Sequence, residues 1–259
     1  MQLFFDLSKA KAYHSKSQIA RVLTELWVND NMYCPRCGNK RISKYPNNLP
    51  VADFYCPHCQ SEFELKSKNG ALGRKVPDGA YGTMIERITS NENPDFLFMG
   101  YSSENQSVHS LLFIPNYFFV PEIIEKRKPL AETAKRAGWV GCNILLDQIP
   151  KQGRIEVISN GILREMDEVV SKVRQSLALK TTNIAERGWL FDILKCLNQI
   201  PTERFSLQDM YAFENVLQKK YPWNHNIRPK IRQQLQVLRD RGLISFLGNG
   251  QYQKVNYRE

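Results

Sequence analysis

Four cysteines arranged as two Cys-Pro-X-Cys pairs are the clearest chemical feature of the sequence. Cys34 and Cys37 form the first pair, Cys56 and Cys59 form the second, and eighteen residues lie between the pairs. Two thiolates separated by two residues can wrap one tetrahedral ion, and this interval between pairs is typical of a four-cysteine zinc site. Because all four ligands would be protein sulfurs, no position is left for water, and we expect a structural rather than a catalytic Zn²⁺. Two disulfides or buried free thiols are the alternatives, and disulfides are disfavoured in an intracellular chain.

His58 and the two remaining cysteines are predicted to lie outside this zinc site. His58 could compete as a ligand, but we expect it to be exposed beside the second pair. Cys142 and Cys196 stand alone in apolar contexts and are predicted core residues.

A second group of chemically suited residues begins just before the second cysteine pair. Asp53 is followed eleven residues later by Glu64-Leu65-Lys66. Residues two apart on a strand share a face, so Glu64 and Lys66 should point the same way, and a neighbouring strand could bring Asp53 beside them. The alternative is a surface ion pair between Glu64 and Lys66 or Lys68.

Two carboxylates close together bind a hard cation such as Mg²⁺ through oxygen, and the backbone carbonyl of Leu65 should reach the same metal. Such a metal would polarise a scissile phosphate and lower the pKa of water. Lys66 would orient that water and offset the charge that develops in the transition state. The pattern therefore indicates metal-dependent phosphodiester hydrolysis, with Asp53, Glu64 and Lys66 as the catalytic residues.

Length, composition and charge narrow the class of protein. The chain has 259 residues, enough for one large domain or two smaller ones, and its 42% hydrophobic and 11% aromatic residues can form a core. No apolar stretch approaches the ~18 residues of a membrane span, and the N-terminus lacks the features of a secretory signal, so we expect a cytoplasmic protein. A net charge of +10 predicts a polyanionic partner. The four histidines form no pair that would support a histidine-dependent nuclease or a Ser/His/Asp hydrolase.

Residues 1–180 are predicted to alternate helices and strands, as in an α/β domain that holds both sites. An amphipathic helix should start at Ser17, a mobile basic loop should cover 67–82, and 125–139 should form a basic loop or short helix. The other expected elements are helices near Tyr81–Ser90 and Met166–Leu179 and strands near Val51–Tyr55, Glu62–Lys66, Phe96–Tyr101, Val108–Phe113, Asn143–Leu146 and Arg154–Ile158.

Residues 181–259 are predicted to form a separate winged-helix domain. Helices are expected at Ile184–Asn198, from Ser206 through Leu217, and at Ile227–Arg241, followed by a hairpin at Gly248-Asn249-Gly250. This segment carries half of the net charge on less than a third of the chain. The outward face of the third helix is predicted to contact DNA through Arg228, Lys230, Arg232, Gln233 and Gln236. A solvated helix face or a protein-binding wing is the alternative.

The spacing of Asp53, Glu64 and Lys66 resembles that of the PD-(D/E)xK nucleases, although Ala52 stands where that family commonly has proline. Three longer segments, VADFYCPHCQSEFELKSK (51–68), RKPLAETAKRAGWVGCNI (127–144) and IRQQLQVLRD (231–240), resemble the DpnI-like methyl-directed type II restriction endonucleases. The resemblance follows the order of parts along essentially the whole chain. It implies a PD-(D/E)xK restriction-endonuclease-like α/β core with a four-cysteine zinc insertion, plus a winged helix. It also implies Mg²⁺-dependent cleavage of double-stranded DNA at 5′-GATC-3′ carrying N6-methyladenine, with both domains recognising the methylated site.

Methyl recognition requires an apolar contact in the major groove, where the N6-methyl group projects like the methyl of thymine. Trp139 is our candidate, because it ends a basic segment in which Lys135 and Arg136 could contact phosphates and hold the ring against the groove. The alternative is that Trp139 is a core residue. We further expect a monomer. The rival functions are a non-catalytic zinc and winged-helix regulator and a structure-specific repair nuclease.

Overall fold

The computed structural model describes residues 1–46, 52–90, 93–181 and 183–255, and the chain divides into two compact units. The first unit spans Met1–Ser176 and the second spans Leu177–Glu259. Within the described ranges, no helix is both long enough and apolar enough to cross a membrane.

The first unit is built on a seven-stranded mixed sheet and a smaller three-stranded sheet. The strands are β1 (Ser43–Lys44), β2 (Phe54–Tyr55), β3 (Glu62–Asn69), β4 (Lys75–Ala80), β5 (Asp95–Ser102), β6 (Ser107–Ile114), β7 (Ile124–Lys126), β8 (Gly141–Leu145), β9 (Ile155–Ser159) and β10 (Ile162–Leu163). The large sheet has the order β1-β2-β3-β5-β6-β9-β10, in which only the β3–β5 pair is parallel. The small sheet has the order β4-β8-β7 and is antiparallel throughout.

The described residues of the first unit also form three α-helices: α1 (Lys16–Asn31), α2 (Tyr81–Thr89) and α3 (Met166–Ser176). Apolar residues of α1 and α3, among them Trp27 and Val169, pack with sheet residues such as Phe63 in one buried cluster. Side chains alternate between the two faces of a strand, so Glu64 and Lys66 point away from this core. In the parallel register, Glu64 lies beside Phe96 and Lys66 beside Phe98.

The prediction of a mobile basic loop over 67–82 is wrong. β3 continues to Asn69 and β4 occupies Lys75–Ala80, which leaves only a short turn between them. Pairing with β8 accounts for the difference, because it satisfies the backbone of β4 regardless of composition. Lys75 itself is neutralised by Glu125, 2.9 Å away.

The other predicted elements of this unit are present, with corrected bounds. The strand expected at Val51–Tyr55 is reduced to β2, so that Asp53 precedes it and Val51 lies outside the described residues. α1 begins at Lys16 rather than Ser17, and the helix expected to reach Leu179 ends at Ser176, where a short 3₁₀ turn, Leu177–Leu179, follows. Of the 125–139 segment, residues 125 and 126 belong to β7, and 127–139 form a loop rather than a helix.

The second unit has the helix-turn-helix arrangement with a β-hairpin that the sequence predicts. Its elements are α4 (Ile184–Gln199), β11 (Arg204–Ser206), α5 (Leu207–Tyr211), α6 (Glu214–Lys220), α7 (Ile227–Asp240), β12 (Ile244–Gly248) and β13 (Gln251–Lys254). The three strands form a small antiparallel sheet in the order β11-β13-β12.

The second predicted helix is broken into two. Ser206 and Asp209 form the expected capping box, but α5 ends at Tyr211 and α6 starts at Glu214. The inward residues of α4 and α7 are buried as expected, with Ile193, Leu194, Ile231 and Leu235 fully inaccessible. The fold class is therefore a mixed α/β unit followed by a helix-turn-helix unit.

Candidate functional site

The four predicted zinc ligands come together in one cluster. The sulfurs of Cys34, Cys37, Cys56 and Cys59 all lie within 4.8 Å of one another. The Cys34–Cys59 and Cys37–Cys56 sulfur distances are 3.6 Å and 3.7 Å. Four sulfurs at about 2.3 Å from a tetrahedral Zn²⁺ would be separated by about 3.8 Å, so the spacing of the cluster is compatible with this ion.

The two cysteine pairs lie on two backbone turns of the same type. The amide of Gly38 donates to the carbonyl of Cys34 at 2.9 Å, and the amide of Gln60 donates to that of Cys56 at 3.0 Å. Both Gly38 (φ +78°) and Gln60 (φ +59°) adopt the left-handed conformation that closes such a turn. The second pair therefore reproduces without glycine the geometry that glycine allows in the first.

The cluster is attached to the sheet core. Cys34 and Cys56 are fully buried and belong to the same apolar cluster as Phe63, whereas His58 is exposed, as predicted. Arg36, inside the first pair, makes a bidentate ion pair with the buried Asp95 of β5 at 2.7 and 2.6 Å. Closed coordination and attachment to the core are typical of a structural metal centre.

The protein environment favours the thiolate form of one of the four cysteines, Cys59. Burial raises the pKa of the Cys34 thiol. Partial burial also tends to raise the pKa of Cys59, but hydrogen bonds with Ser61 and the neighbouring thiols outweigh it and lower the value to about 7. The other two cysteines, Cys142 and Cys196, are buried away from the cluster, as predicted.

The second cysteine pair also positions Asp53, which lies three residues before Cys56. The Asp53 amide donates to the carbonyl of Phe63 at 3.0 Å, and a carboxylate oxygen of Asp53 accepts the amide of Leu65 at 2.7 Å. These two bonds hold the Asp53 side chain beside the Glu64-Leu65-Lys66 segment of β3. Sequence alone placed Asp53 on a strand, whereas it lies in a bend just before β2.

Glu64 and Lys66 share one face of β3, as the alternation predicts. Lys66 Nζ lies 2.5 Å from a carboxylate oxygen of Glu64 and also pairs with Asp78 of β4. Arg87 of α2 approaches the second Glu64 oxygen at 2.7 Å. The side chains of Glu64, Lys66 and Asp78 are each less than a fifth exposed, so these charges interact with little solvent screening.

The pKa shifts of Asp53 and Lys66 follow from burial and from the charged groups close to them. Burial raises the pKa of Asp53, and Glu64 raises it further, against the opposing hydrogen bond from Leu65. Burial alone would lower the pKa of Lys66, but Glu64 and Asp78 outweigh it and raise the value, which keeps the lysine charged.

Asp53 and Glu64 offer carboxylate oxygens to a cation on the same side of β3. Glu64 Oε2 is buried, and its partner is the Arg87 guanidinium, 2.7 Å away. A cation at this oxygen would replace or share that ion pair. Hard oxygen donors from Asp53 and Glu64 are what Mg²⁺ prefers, so these residues would hold the ion.

Trp139 is half-buried and lies on the loop that joins β7 to β8. Its ring packs over Gly141, where an added Cβ would come within 2.8 Å of the indole, and the Arg136 guanidinium lies 4.7 Å from the ring centroid. Lys135 and Arg136 are exposed. Trp139 is thus neither core nor free; it is a supported aromatic side chain on a basic loop.

The small sheet links this loop to the carboxylates. Cys142, three residues after Trp139, pairs directly with Asp78 across the β4–β8 ladder. Asp78 and Arg87 were not identified from the sequence. The only available signal for Asp78 was an acidic residue within a segment whose Gly and Lys/Arg content predicted a loop.

In the second unit, the residues predicted to contact DNA all belong to α7. Arg228, Arg232, Gln233 and Gln236 are exposed, and Lys230 is half-buried. Arg228 pairs with Glu214 at 2.8 Å and lies over the ring of Tyr211, whose hydroxyl accepts a hydrogen bond from Arg232 at 2.9 Å. Tyr211, which the sequence did not single out, therefore holds two of these arginines in place.

Comparison with known protein families agrees with this division. The model of the DpnI, Dam-replacing family matches residues 1–182, and that of the Dam-replacing HTH domain matches residues 185–254. The first match alone covers more than half of the chain and includes both the cysteine cluster and the Asp53, Glu64 and Lys66 group. The chain therefore belongs to the Dam-replacing family.

Proposed function

We propose that this protein is a type II restriction endonuclease that hydrolyses double-stranded DNA at 5′-GATC-3′ sites carrying N6-methyladenine. The observation that carries the proposal is the convergence of Asp53, Glu64 and Lys66 at one site in a chain of the Dam-replacing family. Family membership supports a methyl-dependent restriction-type nuclease, and the helix-turn-helix unit supports DNA as the partner.

Each residue of this site has a distinct role in the proposal. Asp53, Glu64 and the Leu65 carbonyl would hold Mg²⁺, and a bound ion would supply positive charge to stabilise the attacked phosphate. Lys66, kept protonated by its carboxylate partners, orients the attacking water and offsets the charge that develops on the phosphate. Asp78, which pairs with Lys66, would hold the lysine in position independently of Glu64.

The cysteine cluster has a supporting role. A Zn²⁺ ion bound by Cys34, Cys37, Cys56 and Cys59 would fix the backbone around Cys56 and therefore the position of Asp53, three residues earlier. With four protein ligands, the ion would have no open position for substrate. We assign it no chemical step. The proposal divides the chain into a nuclease domain at 1–180 and a winged-helix domain at 181–259.

Trp139 is the proposed methyl contact of the nuclease domain. Its support by Gly141 and Arg136 leaves the ring oriented on an exposed basic loop, where Lys135 and Arg136 would contact phosphates. On α7, Arg228, Lys230, Arg232, Gln233 and Gln236 would contact phosphates and base edges.

The deciding experiment is a paired digest of N6-methylated and unmethylated plasmid with the protein and Mg²⁺. We expect cleavage of the methylated plasmid only, at GATC. Retained binding without cleavage of either plasmid would favour a non-catalytic regulator, and cleavage at junctions irrespective of methylation would favour a repair nuclease.

Two variants test the assigned residues within the same assay. Asp53→Ala should abolish cleavage while leaving DNA binding largely intact, and normal cleavage by this variant would refute the metal site. Trp139→Ala should fold and bind DNA but lose much of its preference for methylated GATC. An unchanged preference would refute the role of Trp139. Sedimentation of the intact protein tests the expected monomer.

A further inference from the structure

A cleft on the first unit is bordered by basic side chains that have no role in the proposed chemistry. Its volume is about 540 Å³, and it lies between strands β6 and β9 and the turn that joins β3 to β4. Lys151, Arg154 and His109 line it, together with apolar side chains such as Leu72 and Leu112. The volume is within the usual range for a ligand site.

The positive charge of the cleft is not neutralised by the residues that line it. Arg154 Nε is buried and has no hydrogen-bond acceptor among the described residues, although a buried donor of this kind is normally paired. Glu156 is the only acidic side chain among the described residues of the lining, and it pairs with Arg164 at 3.0 Å. The cleft therefore favours an anion that comes from another molecule.

The strand register places the cleft on the same face of the large sheet as the catalytic residues. Glu156 lies opposite Leu112, Leu112 lies opposite Phe98, and Phe98 lies beside Lys66. Arg154 precedes Glu156 by two residues and therefore shares its face. Three strand spacings of about 4.8 Å separate β3 from β9, so the cleft is about 14 Å from Lys66.

Lys68 extends the positive charge from the catalytic residues towards the cleft. It follows Lys66 by two residues on the same face of β3 and is exposed. Its Nζ lies 3.9 Å from where a Cβ of Gly73 would stand, in the same turn as the lining residues Ala71 and Leu72. Cations therefore lie along one direction across the sheet, from Lys66 through Lys68 to the cleft.

A phosphate group is the anion that suits these donors. A guanidinium can bond two phosphate oxygens at once, and an ammonium group adds a compact positive charge. Duplex DNA carries one phosphate per strand for about every 3.4 Å of its axis, so DNA held at the catalytic residues has further phosphates about 14 Å away. A polyanion also accounts for Lys68 between the two sites, whereas a free phosphate compound does not.

We propose that the cleft lined by Lys151, Arg154 and His109 holds a backbone phosphate of the bound DNA, away from the scissile bond, and so fixes the duplex against the first unit. The inference rests on the proposed function, because it assigns a further contact to the same DNA substrate. A phosphate contact positions DNA without reading its sequence, so this contact serves methylated and unmethylated DNA equally.

The test measures binding of labelled duplexes by fluorescence anisotropy over a range of salt concentrations, with the full-length Asp53→Ala protein as the parent. Lys151→Met and Arg154→Met should each weaken binding about three- to tenfold, whether or not the GATC is methylated. Each should also lower the slope of log K against log[salt] by about 0.9, since one phosphate fewer is neutralised. Because Lys151 is exposed, its replacement should leave the fold intact even where Arg154→Met destabilises it.

Lys172→Met is the matched control, because it removes the same charge from the same unit. Lys172 is 47% exposed on α3, which packs through Val169 and Val173 against the opposite face of the sheet. This variant should keep the affinity and the salt slope of the parent.

Duplexes that each carry one uncharged methylphosphonate locate the contact. At one position, the methylphosphonate should weaken binding by the parent but have no further effect on Arg154→Met, because both changes remove the same interaction. The Lys172→Met control should respond to that duplex as the parent does.

Two results would overturn the inference. Lys151 and Arg154 variants that keep the salt slope of the parent, and whose effects add to that of every methylphosphonate, would exclude a DNA phosphate from the cleft. Inorganic phosphate that raises the Tm of the parent but not of Lys151→Met, without a change in DNA binding, would assign the cleft to a free phosphate compound instead. A wild-type protein that cleaves neither plasmid in the paired digest would refute the proposed function, whereas a cleaving enzyme with either of these two results would refute this inference alone.

Discussion

Replacement of Asp78 by asparagine tests whether the site depends on a residue that the sequence did not reveal. The change keeps the shape of the side chain and removes one of two negative charges on Lys66. Asp78 and Lys66 are 9% and 19% exposed, so their interaction is weakly screened by solvent.

The magnitude follows from what remains after the substitution. Removing one partner of a buried ion pair costs about 3–5 kcal/mol when the other charge is left alone. Lys66 keeps Glu64 at 2.5 Å, so we expect a smaller loss of stability, about 1–3 kcal/mol, and a fall in Tm of a few degrees. Loss of orientation of Lys66 should lower the cleavage rate about ten- to a hundredfold, which corresponds to about 1.4–2.7 kcal/mol.

The pH dependence of cleavage gives a second readout. Asp78 is one of the groups that raise the pKa of Lys66, so the variant should lose a protonated Lys66 at lower pH than the parent. The alkaline limb of the pH–rate profile should therefore move to lower pH, while simple destabilisation would leave its position unchanged.

Asp147→Asn is the matched control, because Asp147 of the same unit pairs at 2.7 Å with Arg74, which is 86% exposed. A surface pair of this kind contributes at most about 1 kcal/mol, and the control should cleave at the parent rate. An Asp78→Asn protein that cleaves at the parent rate with an unshifted pH profile would refute the positioning role.

Three further predictions address the supports around the sites. Stripping the metal with a chelator, or replacing Cys34 by serine, should destabilise the first unit severely, since structural zinc contributes about 10–16 kcal/mol of binding energy. Cys142→Ser, at a buried cysteine outside the cluster, is the control. Equal unfolding of the two serine variants by calorimetry would refute a zinc role. Gly141→Ala should displace the Trp139 ring, because the new Cβ would lie 2.8 Å from it, and should lower the methyl preference in the paired digest; a normal preference would mean that the ring position is irrelevant. Asp192→Asn should destabilise the second unit by about 2–4 kcal/mol near neutral pH. Lys195 and Lys220 outweigh the effect of burial and lower the pKa of Asp192. The contribution of Asp192 to the stability of the second unit is therefore complete above the ordinary pKa of 3.8 and disappears as the pH falls through the lowered pKa. In denaturant titrations, a stability difference between variant and parent that persists below the lowered pKa would contradict this assignment.

Local features of both sites were predictable from the sequence. The cysteine pairs each close a turn of a few residues, so spacing alone determined that each pair could bind a common ion, and the alternation of β3 placed Glu64 beside Lys66. Periodicity likewise predicted α4 and α7, because their buried residues recur at helical intervals.

Features that depend on distant pairing were not predictable. Asp78 reaches Lys66 only because β4 pairs with β8, sixty residues further along the chain, and the composition of 67–82 suggested a loop. The break between α5 and α6 at Ala212 and Phe213 carries no glycine or proline signal. The stacking of Tyr221 on Trp189 likewise joins residues far apart in sequence, so no local pattern predicts it.

A preference for methylated DNA is limited by the small free energy that is gained when one methyl group is buried. Burying one methyl-sized group yields about 0.8 kcal/mol, a factor of roughly four in affinity, and the net charge of +10 adds affinity without discrimination. A large preference therefore requires several methyl contacts whose free energies add, each on a surface rigid enough to lose little entropy. Trp139, held by Gly141 and Arg136, would meet the requirement of rigidity as the proposed contact of the first unit. Because independent contacts multiply their affinity ratios, a preference much above fourfold would require at least one methyl contact besides Trp139.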